Sequence, residues 1–297
     1  MSAMLYLVPT PIGNLSDISE RCREVLAQAD FIAAEDTRVT LRLLNHLELK
    51  KPLVSYYEHN KAASGPRIVE RILAGETCAL VSDAGSPAIS DPGEDLVRLC
   101  AEAGVTVSAI PGPCAAITAL SMSGLPTGRF TFEGFLSTTK KNRAQHLDSL
   151  RAEQRTMIFY EAPHKLCATL RDLAAAFGGE RRISLCRELT KLHEEVLRLT
   201  LDGAVAYYET QPPRGEYVLI VEGAPKEEID EMYDFFNKVG LPSTFADLGI
   251  ADATDEDIMK VAEASMHSYW DVEPFAVNPR MIADAIILAD ALGKQKK

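Results

Sequence analysis

Ser82-Asp83-Ala84-Gly85-Ser86-Pro87-Ala88-Ile89-Ser90-Asp91-Pro92-Gly93 follows a short apolar run, Cys78-Ala-Leu-Val-Ser82, and precedes an amphipathic one, Glu94 to Ala103. The order reads as buried strand, long loop, helix. Paired Gly, Pro and Asp residues give the loop a fixed path and many free backbone donors and acceptors. In an open α/β sheet, loops at the carboxyl ends of strands are where small ligands sit. A single loop of this kind also reads as a plain connection with no ligand.

The same alternation extends outward. Met4 to Val8, Phe31 to Ala34 and Leu53 to Tyr57 are strand-length apolar runs. Between them lie helical patterns: one from the cap candidates Asp17 to Glu20 as far as about Ala29, one with Leu41, Leu43, Leu44 and Leu47, and one with Ile68, Val69, Ile72 and Leu73. Val105 to Ile110 adds a strand. Strands alternating with helices predict a parallel α/β sheet over residues 1–110. Pro111-Gly112-Pro113 reads as a hinge, and Ala115 to Met122 as a helix. Phe130 to Phe135, Thr156 to Tyr160, Ile183 to Cys186 and Tyr217 to Val221 then predict four more strands, with helices near 142–153 and 164–177. The expected organisation is an N-terminal α/β domain over 1–111, a mixed α/β domain over 112–224 and a helical segment over 225–297. Helical stretches in that last part include Glu228 to Phe236 and Met281 to Ala289.

At 297 residues, 46% hydrophobic and 25% charged, the chain has the composition of an ordinary soluble globular protein and room for two cores. No window approaches the apolar length of a membrane span, and Met1 to Leu15 lacks the features of a signal peptide, so no membrane association and a cytoplasmic location are expected. The six cysteines are scattered without CxxC pairing, which favours buried thiols over a disulfide framework or a zinc site. Net charge is −12, and residues 226–297 hold 15 acidic against 7 basic side chains. An acidic chain is no general nucleic-acid binder, because phosphates need clustered Lys and Arg. The main basic concentration is Lys140, Lys141, Arg143, Arg151, Arg155, Arg181, Arg182 and Arg187, which equally reads as solvated helix faces.

Polar loops recur at strand ends: Pro9–Asn14, Glu35–Arg38, Asp83–Gly93, Pro111–Ala115, Glu161–Lys165, Arg187–Glu195 and Gly215–Glu216. Stacked at one edge of two domains, they would line a cleft. Phosphate-loop, zincin, esterase and tight GxGxxG motifs are absent from the sequence, and no metal site is expected.

The segments PTPIGNL (9–15), AEDTR (34–38), SDAGSPAISDPG (82–93), PGPCAA (111–116), YEAPHK (160–165), RELTKLHEE (187–195) and GEYVLIVEG (215–223) together resemble one family. It is the bacterial small-subunit ribosomal RNA cytidine 2′-O-methyltransferases of the tetrapyrrole methylase superfamily. The resemblance covers about 1–224, with Cys114 where Ser is usual and Lys165 where Arg is common. It implies a two-domain tetrapyrrole-methylase-like α/β fold, a homodimer, and S-adenosylmethionine held in the cleft between the domains. The partner it implies is small-subunit ribosomal RNA, either free or in the assembled 30S subunit.

The family's cofactor positions fall on Pro11, Gly13, Asp83, Ala84, Gly85, Pro87, Pro111, Gly112, Ala115, Tyr160, Glu161, Gly215 and Glu216. Small residues allow close backbone approach. Asp83 suits a ribose hydroxyl or an ammonium group, or a loop cap. Because a ribose hydroxyl is a weak nucleophile, a base or charge-stabilising group should assist. Glu35, Asp36 and Arg38 are the catalytic candidates, although Asp36-Thr37 also reads as a helix cap with Arg38 paired locally. Lys191, His193 and Glu194 form a second set. Within the superfamily, a tetrapyrrole or a modified histidine remains an alternative acceptor.

Residues 225–297 depart from the family, whose members usually end in a Lys-rich helix. They resemble the C-terminal helical end of metal-dependent glycerol dehydrogenases, which makes the chain read as a hybrid joined near Glu222–Lys226. The nucleotide-binding half and metal ligands of those enzymes have no counterpart, and His267, Asp271 and Glu273 are not expected to bind a metal. A cofactor-binding module inactive on RNA is the reading this tail keeps open. Polyol oxidation is not expected.

Overall fold

The computed structural model describes residues 3–225, 244–249, 252–264 and 278–296. The expected helix Glu228 to Phe236, and His267, Asp271 and Glu273, lie outside the described residues. The chain divides into two compact units, Met1–Ala224 and Pro225–Lys297.

The first sheet contains β1 (Leu5–Leu7), β2 (Phe31–Ala34), β3 (Leu53–Ser55), β4 (Cys78–Val81) and β5 (Val107–Ala109) in the order β3-β2-β4-β1-β5. All pairings are parallel, as the alternation predicts. The connecting helices are α1 (Glu20–Gln28), α2 (Thr37–His46), α3 (Lys61–Leu73) and α4 (Glu94–Glu102). Every residue of β2 and β4 is buried, which explains why they read as unbroken apolar runs: helices cover both faces. Successive side chains feed opposite cores. Ile32 and Ala79 join Leu26 and Leu44 on one side, while Phe31 and Leu80 join Ile68 and Leu96 on the other. Full burial stabilises each large side chain by roughly 1.5–3 kcal/mol.

Because β4 is the central strand, the loop after it emerges from the middle of the sheet. That loop is tied down locally. Thr10 and Gly85 exchange two backbone hydrogen bonds of 2.9 Å, and Thr10 Oγ1 donates to the Ser82 carbonyl at 3.1 Å. Ala88 (φ 68°) and Ser90 (φ 65°) are both held in the left-handed region. Such backbone costs on the order of 1–3 kcal/mol per residue and tends to persist at functional sites.

After α5 (Ala115–Met122), the second sheet runs β6 (Phe130–Phe135), β7 (Thr156–Glu161), β10 (Tyr217–Val221), β8 (Arg182–Arg187), β9 (Glu195–Thr200). Only β6 and β7 pair in parallel; the other ladders are antiparallel. Helices α6 (Lys140–Ser149), α7 (Pro163–Phe177) and α8 (Leu201–Thr210) complete it. Strand β9 and helix α8 are absent from the sequence reading. As an edge strand, β9 is only partly buried along its length, so it shows no apolar run. It passes straight into α8, whose N-cap Thr200 accepts from the Gly203 N–H at 3.1 Å.

In the second unit, helices Asp255–Ala264 and Pro279–Lys296 pack through Ile258, Ala262 and Ala283. The buried Asp290 accepts from the Phe245 N–H at 2.7 Å and pairs with Lys294. All six cysteines are free thiols, four of them buried, and burial pushes the Cys78 thiol up to about 12. Among the described residues, no helix is long and apolar enough to cross a membrane, and no cluster of side chains has the makings of a metal site.

Candidate active site

Within the first unit, the loops after β1, β4 and β5 face loops of the second sheet across a cleft of about 400 Å³. One wall is Ile12, Ala84–Ser86 and Ile89–Asp91; the opposite wall is Tyr160–Pro163, Leu189, Lys191 and Glu216. Cys114 and Ala115, at the start of α5, Phe135, at the end of β6, and Cys186, Tyr217 and Val218 of β8 and β10 also line it. Each of the polar loops singled out in the sequence contributes to this lining except Glu35–Arg38, which adjoins it through the Asp36 N–H to Asp83 hydrogen bond.

Small residues permit the walls to meet. A Cβ on Gly13 would lie 2.5 Å from Lys191 Cγ and 2.9 Å from the Leu189 carbonyl oxygen. One on Gly215 would collide with the Glu188 side chain, and one on Gly112 with the Pro9 ring. The segment Glu188–Lys191 is thus clasped from two sides, and Glu188 (φ 52°) and Thr190 (φ 65°) are both left-handed. Ser86 Oγ donates to the Pro113 carbonyl at 3.0 Å, joining the loops after β4 and β5.

Carboxyls stand on both sides of the cleft, and the second wall adds a lysine held between two of them. Burial, then Asp91 and Asp83, push the Glu35 carboxyl above its ordinary range. Burial likewise raises Asp83 and Asp91; Asp91 is raised against a hydrogen bond from Ser82, with Asp83 adding to the rise. Three carboxyls therefore ionise reluctantly on the first-domain side, and a cation would relieve them. On the other wall, Lys191 Nζ donates to Glu188 Oε1 and Glu216 Oε2 at 2.8 Å each. Burial lowers this ammonium, but the two carboxylates outweigh it and leave it above the ordinary value.

Tyr160 hydroxyl accepts from the Ala116 N–H at 3.2 Å, and burial pushes it up to about 12. Cys114, the N-cap of α5, supplies no side-chain capping bond; the Tyr160 hydroxyl takes the Ala116 N–H in its place, and Cys114 and Ala115 line the cleft.

Of the positions expected to hold a cofactor, Ala84, Gly85, Ala115, Tyr160, Glu161 and Glu216 line the cleft. Pro11, Gly13, Asp83, Pro87, Pro111, Gly112 and Gly215 lie beside it. Gly13, Gly112 and Gly215 act through close packing of the loops, and Asp83 Oδ1 accepts from the Asp36 N–H at 3.0 Å. Glu161 is buried and inward-facing: its carboxylate takes the Ala162 N–H at 2.8 Å and the Thr169 hydroxyl.

Glu35, Asp36 and Arg38 are outside the lining. Asp36 caps α2 by accepting the Arg38 N–H at 2.8 Å, and it grips the Arg38 guanidinium at 2.6–3.2 Å. This pair holds the Asp36 carboxyl down to about 2. Of the second set, Lys191 lines the cleft, while His193 and Glu194 are exposed and do not. The sequence reading missed Asp91 and Phe135, both of which line the cleft. Asp91 lay within the quoted loop. Phe135 was signalled only by Gly134, which breaks the alternation of its strand.

A family model for tetrapyrrole (corrin/porphyrin) methylases matches residues 4–205. A Synechocystis protein named ribosomal RNA small subunit methyltransferase I is 51% identical, over 76% of this chain and 81% of its own length. An Escherichia coli O157:H7 protein of the same name is 44% identical, over 89% and 93%. Among solved structures, a diphthine synthase superposes with a TM-score of 0.57 at 15% identity, covering 84% of this chain and all of that one. At that identity the likeness speaks for the fold alone.

Proposed function

The chain belongs to the tetrapyrrole (corrin/porphyrin) methylase family, and from that footing we propose that it is a methyltransferase acting on small-subunit ribosomal RNA, with S-adenosylmethionine as donor and the 2′-hydroxyl of a cytidine ribose as acceptor. The observation that carries the donor is the cleft itself. Its volume lies within the ordinary range for small-molecule sites. Gly85, at φ 88°, forms a cradle in which a Cβ would lie 3.3 Å from Ile12. The start of α5, at Cys114 and Ala115 on the cleft lining, offers a positive dipole end to a carboxylate. The Glu35, Asp83 and Asp91 carboxyls favour a nearby positive charge, which suits a sulfonium or an ammonium. Ala84, Gly85 and Ala115 would hold the group through backbone contacts, with Tyr160 and Glu216 opposite.

When bound, S-adenosylmethionine supplies an electrophilic methyl group. The chain's own part is to align the attacking oxygen with it; such positioning is worth up to roughly 7–11 kcal/mol. Asp91 is the group assigned to accept the hydroxyl proton, because it lines the cleft and its raised carboxyl is a stronger base than an exposed one. Glu35 acts through this acidic set. Arg38, exposed and held by Asp36, is the cation assigned to the substrate's backbone. Of the basic residues of the second domain, Arg143, Arg151, Arg155, Arg182 and Arg187 pair with carboxylates, which leaves the exposed Lys140 and Lys141 as the cations assigned to RNA contact; a homodimer belongs to the same reading.

The test is methyl transfer from labelled S-adenosylmethionine to 30S subunits lacking the modification, with the full chain and with a chain ending at Gly223. Label on a cytidine 2′-oxygen is expected. Label on a base or on protein would overturn the acceptor, and cofactor binding without any transfer to RNA would overturn the function.

A further inference from the structure

Strand β6 should present Phe132 and Phe135 on opposite faces, since odd spacing in a regular strand alternates sides. A bulge changes this. The register against β7 shifts between Phe132 and Gly134, and Gly134 adopts φ 61°. The extra residue brings both rings against the same side chain: Phe132 meets Tyr160 edge-on at 5.2 Å and Phe135 at 5.5 Å. Bulges are conserved devices for re-aiming side chains beside active sites.

The result is an aromatic ring at the cleft mouth with little to cover it. Phe135 is 60% exposed although it lines the cleft, and Ile89, on the facing loop, is 48% exposed. Phe135 is held by Tyr160 behind it, so its orientation is already set. A rigid aromatic surface that stays in water is what an unstacked nucleobase needs, because every base has a π-face. Charge points the same way: Lys140 and Lys141 begin the helix that follows β6, both exposed, and neither has an ion pair among the described residues.

Resting on the reading of this chain as an RNA methyltransferase, we propose that Phe135 is the stacking platform for the target nucleotide's base. The base leaves its own stack and lies on the Phe135 ring, which positions the ribose at the cleft mouth. Phe135 is thus a substrate-positioning residue, with Phe132 and Tyr160 as its support.

The experiment compares Phe135→Ala, Phe135→Leu and Phe135→Trp with wild type on unmodified 30S subunits. It measures kcat and KM for the subunit, and the Kd for S-adenosylhomocysteine by calorimetry. Wild-type transfer tests the underlying function separately. Expected are losses in kcat/KM of roughly 5- to 150-fold for Phe135→Ala, the range spanned by base–aromatic stacking. Phe135→Leu, which keeps apolar bulk without a π-face, should lose nearly as much, and Phe135→Trp should recover most of the wild-type value. Cofactor affinity should stay within about twofold in folded variants, with folding checked by circular dichroism. Parallel losses of cofactor affinity would make the ring part of the cofactor site and overturn the proposal. Full activity in Phe135→Leu would also overturn it, by reducing the ring to apolar contact.

Discussion

Gly13→Ala is the sharpest test of how the cleft walls are joined. The new methyl carbon would sit 2.9 Å from the Leu189 carbonyl oxygen and 2.9 Å from Thr190 Oγ1, as well as 2.5 Å from Lys191 Cγ. The lysine stem can swing, but the carbonyl is backbone, in a segment whose Glu188 and Thr190 already hold left-handed conformations. The loop must therefore move by several tenths of an ångström, and overpacking of this kind costs about 1–3 kcal/mol. For a unit of this size each kcal/mol lowers Tm by about 2–4 °C, so a fall of roughly 2–12 °C is expected by calorimetry. Because Leu189 and Lys191 line the cleft, affinity for S-adenosylhomocysteine should fall alongside. Gly128→Ala is the control, since a Cβ there meets nothing within 4 Å and should change stability by less than about 0.5 kcal/mol. A Gly13→Ala protein with wild-type Tm and cofactor affinity would refute the account of a clasped loop.

Asp91→Asn tests the acidic set. A carboxyl raised in the folded state destabilises it as pH climbs through the raised value, so the variant should melt above wild type near pH 7 and converge with it below pH 4. Its methyl transfer should nonetheless fall by about 10²- to 10⁴-fold, and unchanged turnover would remove Asp91 as the proton acceptor. Arg38→Ala removes a guanidinium with an 85% exposed side chain, so the midpoint of denaturant unfolding should stay nearly unchanged. A loss of RNA turnover at constant Tm would place Arg38 in the reaction, and no loss would leave it a helix-cap partner. Thr169→Val strips a donor from the buried Glu161 carboxylate and a partner from Arg143, and should cost about 1–3 kcal/mol by chemical unfolding.

The sequence by itself determined the elements whose physics is local. The runs at Phe31–Ala34 and Cys78–Val81 are buried on both faces and so are continuous in the chain, and the parallel sheet follows from their alternation with amphipathic helices. The loops that carry the site were visible too, because Gly and Pro mark them directly. What escaped were features that depend on a partner distant in sequence. Strand β9 owes its existence to pairing with β8, and its half-exposed edge position erases the apolar signal. Only the tertiary structure showed that Gly13 serves Leu189 and Lys191 and that Glu161 faces inward to Thr169, while the Asp36–Arg38 cap was one of two readings the sequence offered and the structure bears it out. It also decided that a bulge turns Phe135 onto the face of Phe132. Hydrophobic periodicity reports which side of an element is buried. Which loops close on one another, and which polar groups they leave for a substrate, is set by strand order and close packing, and neither is written in any single stretch of the chain.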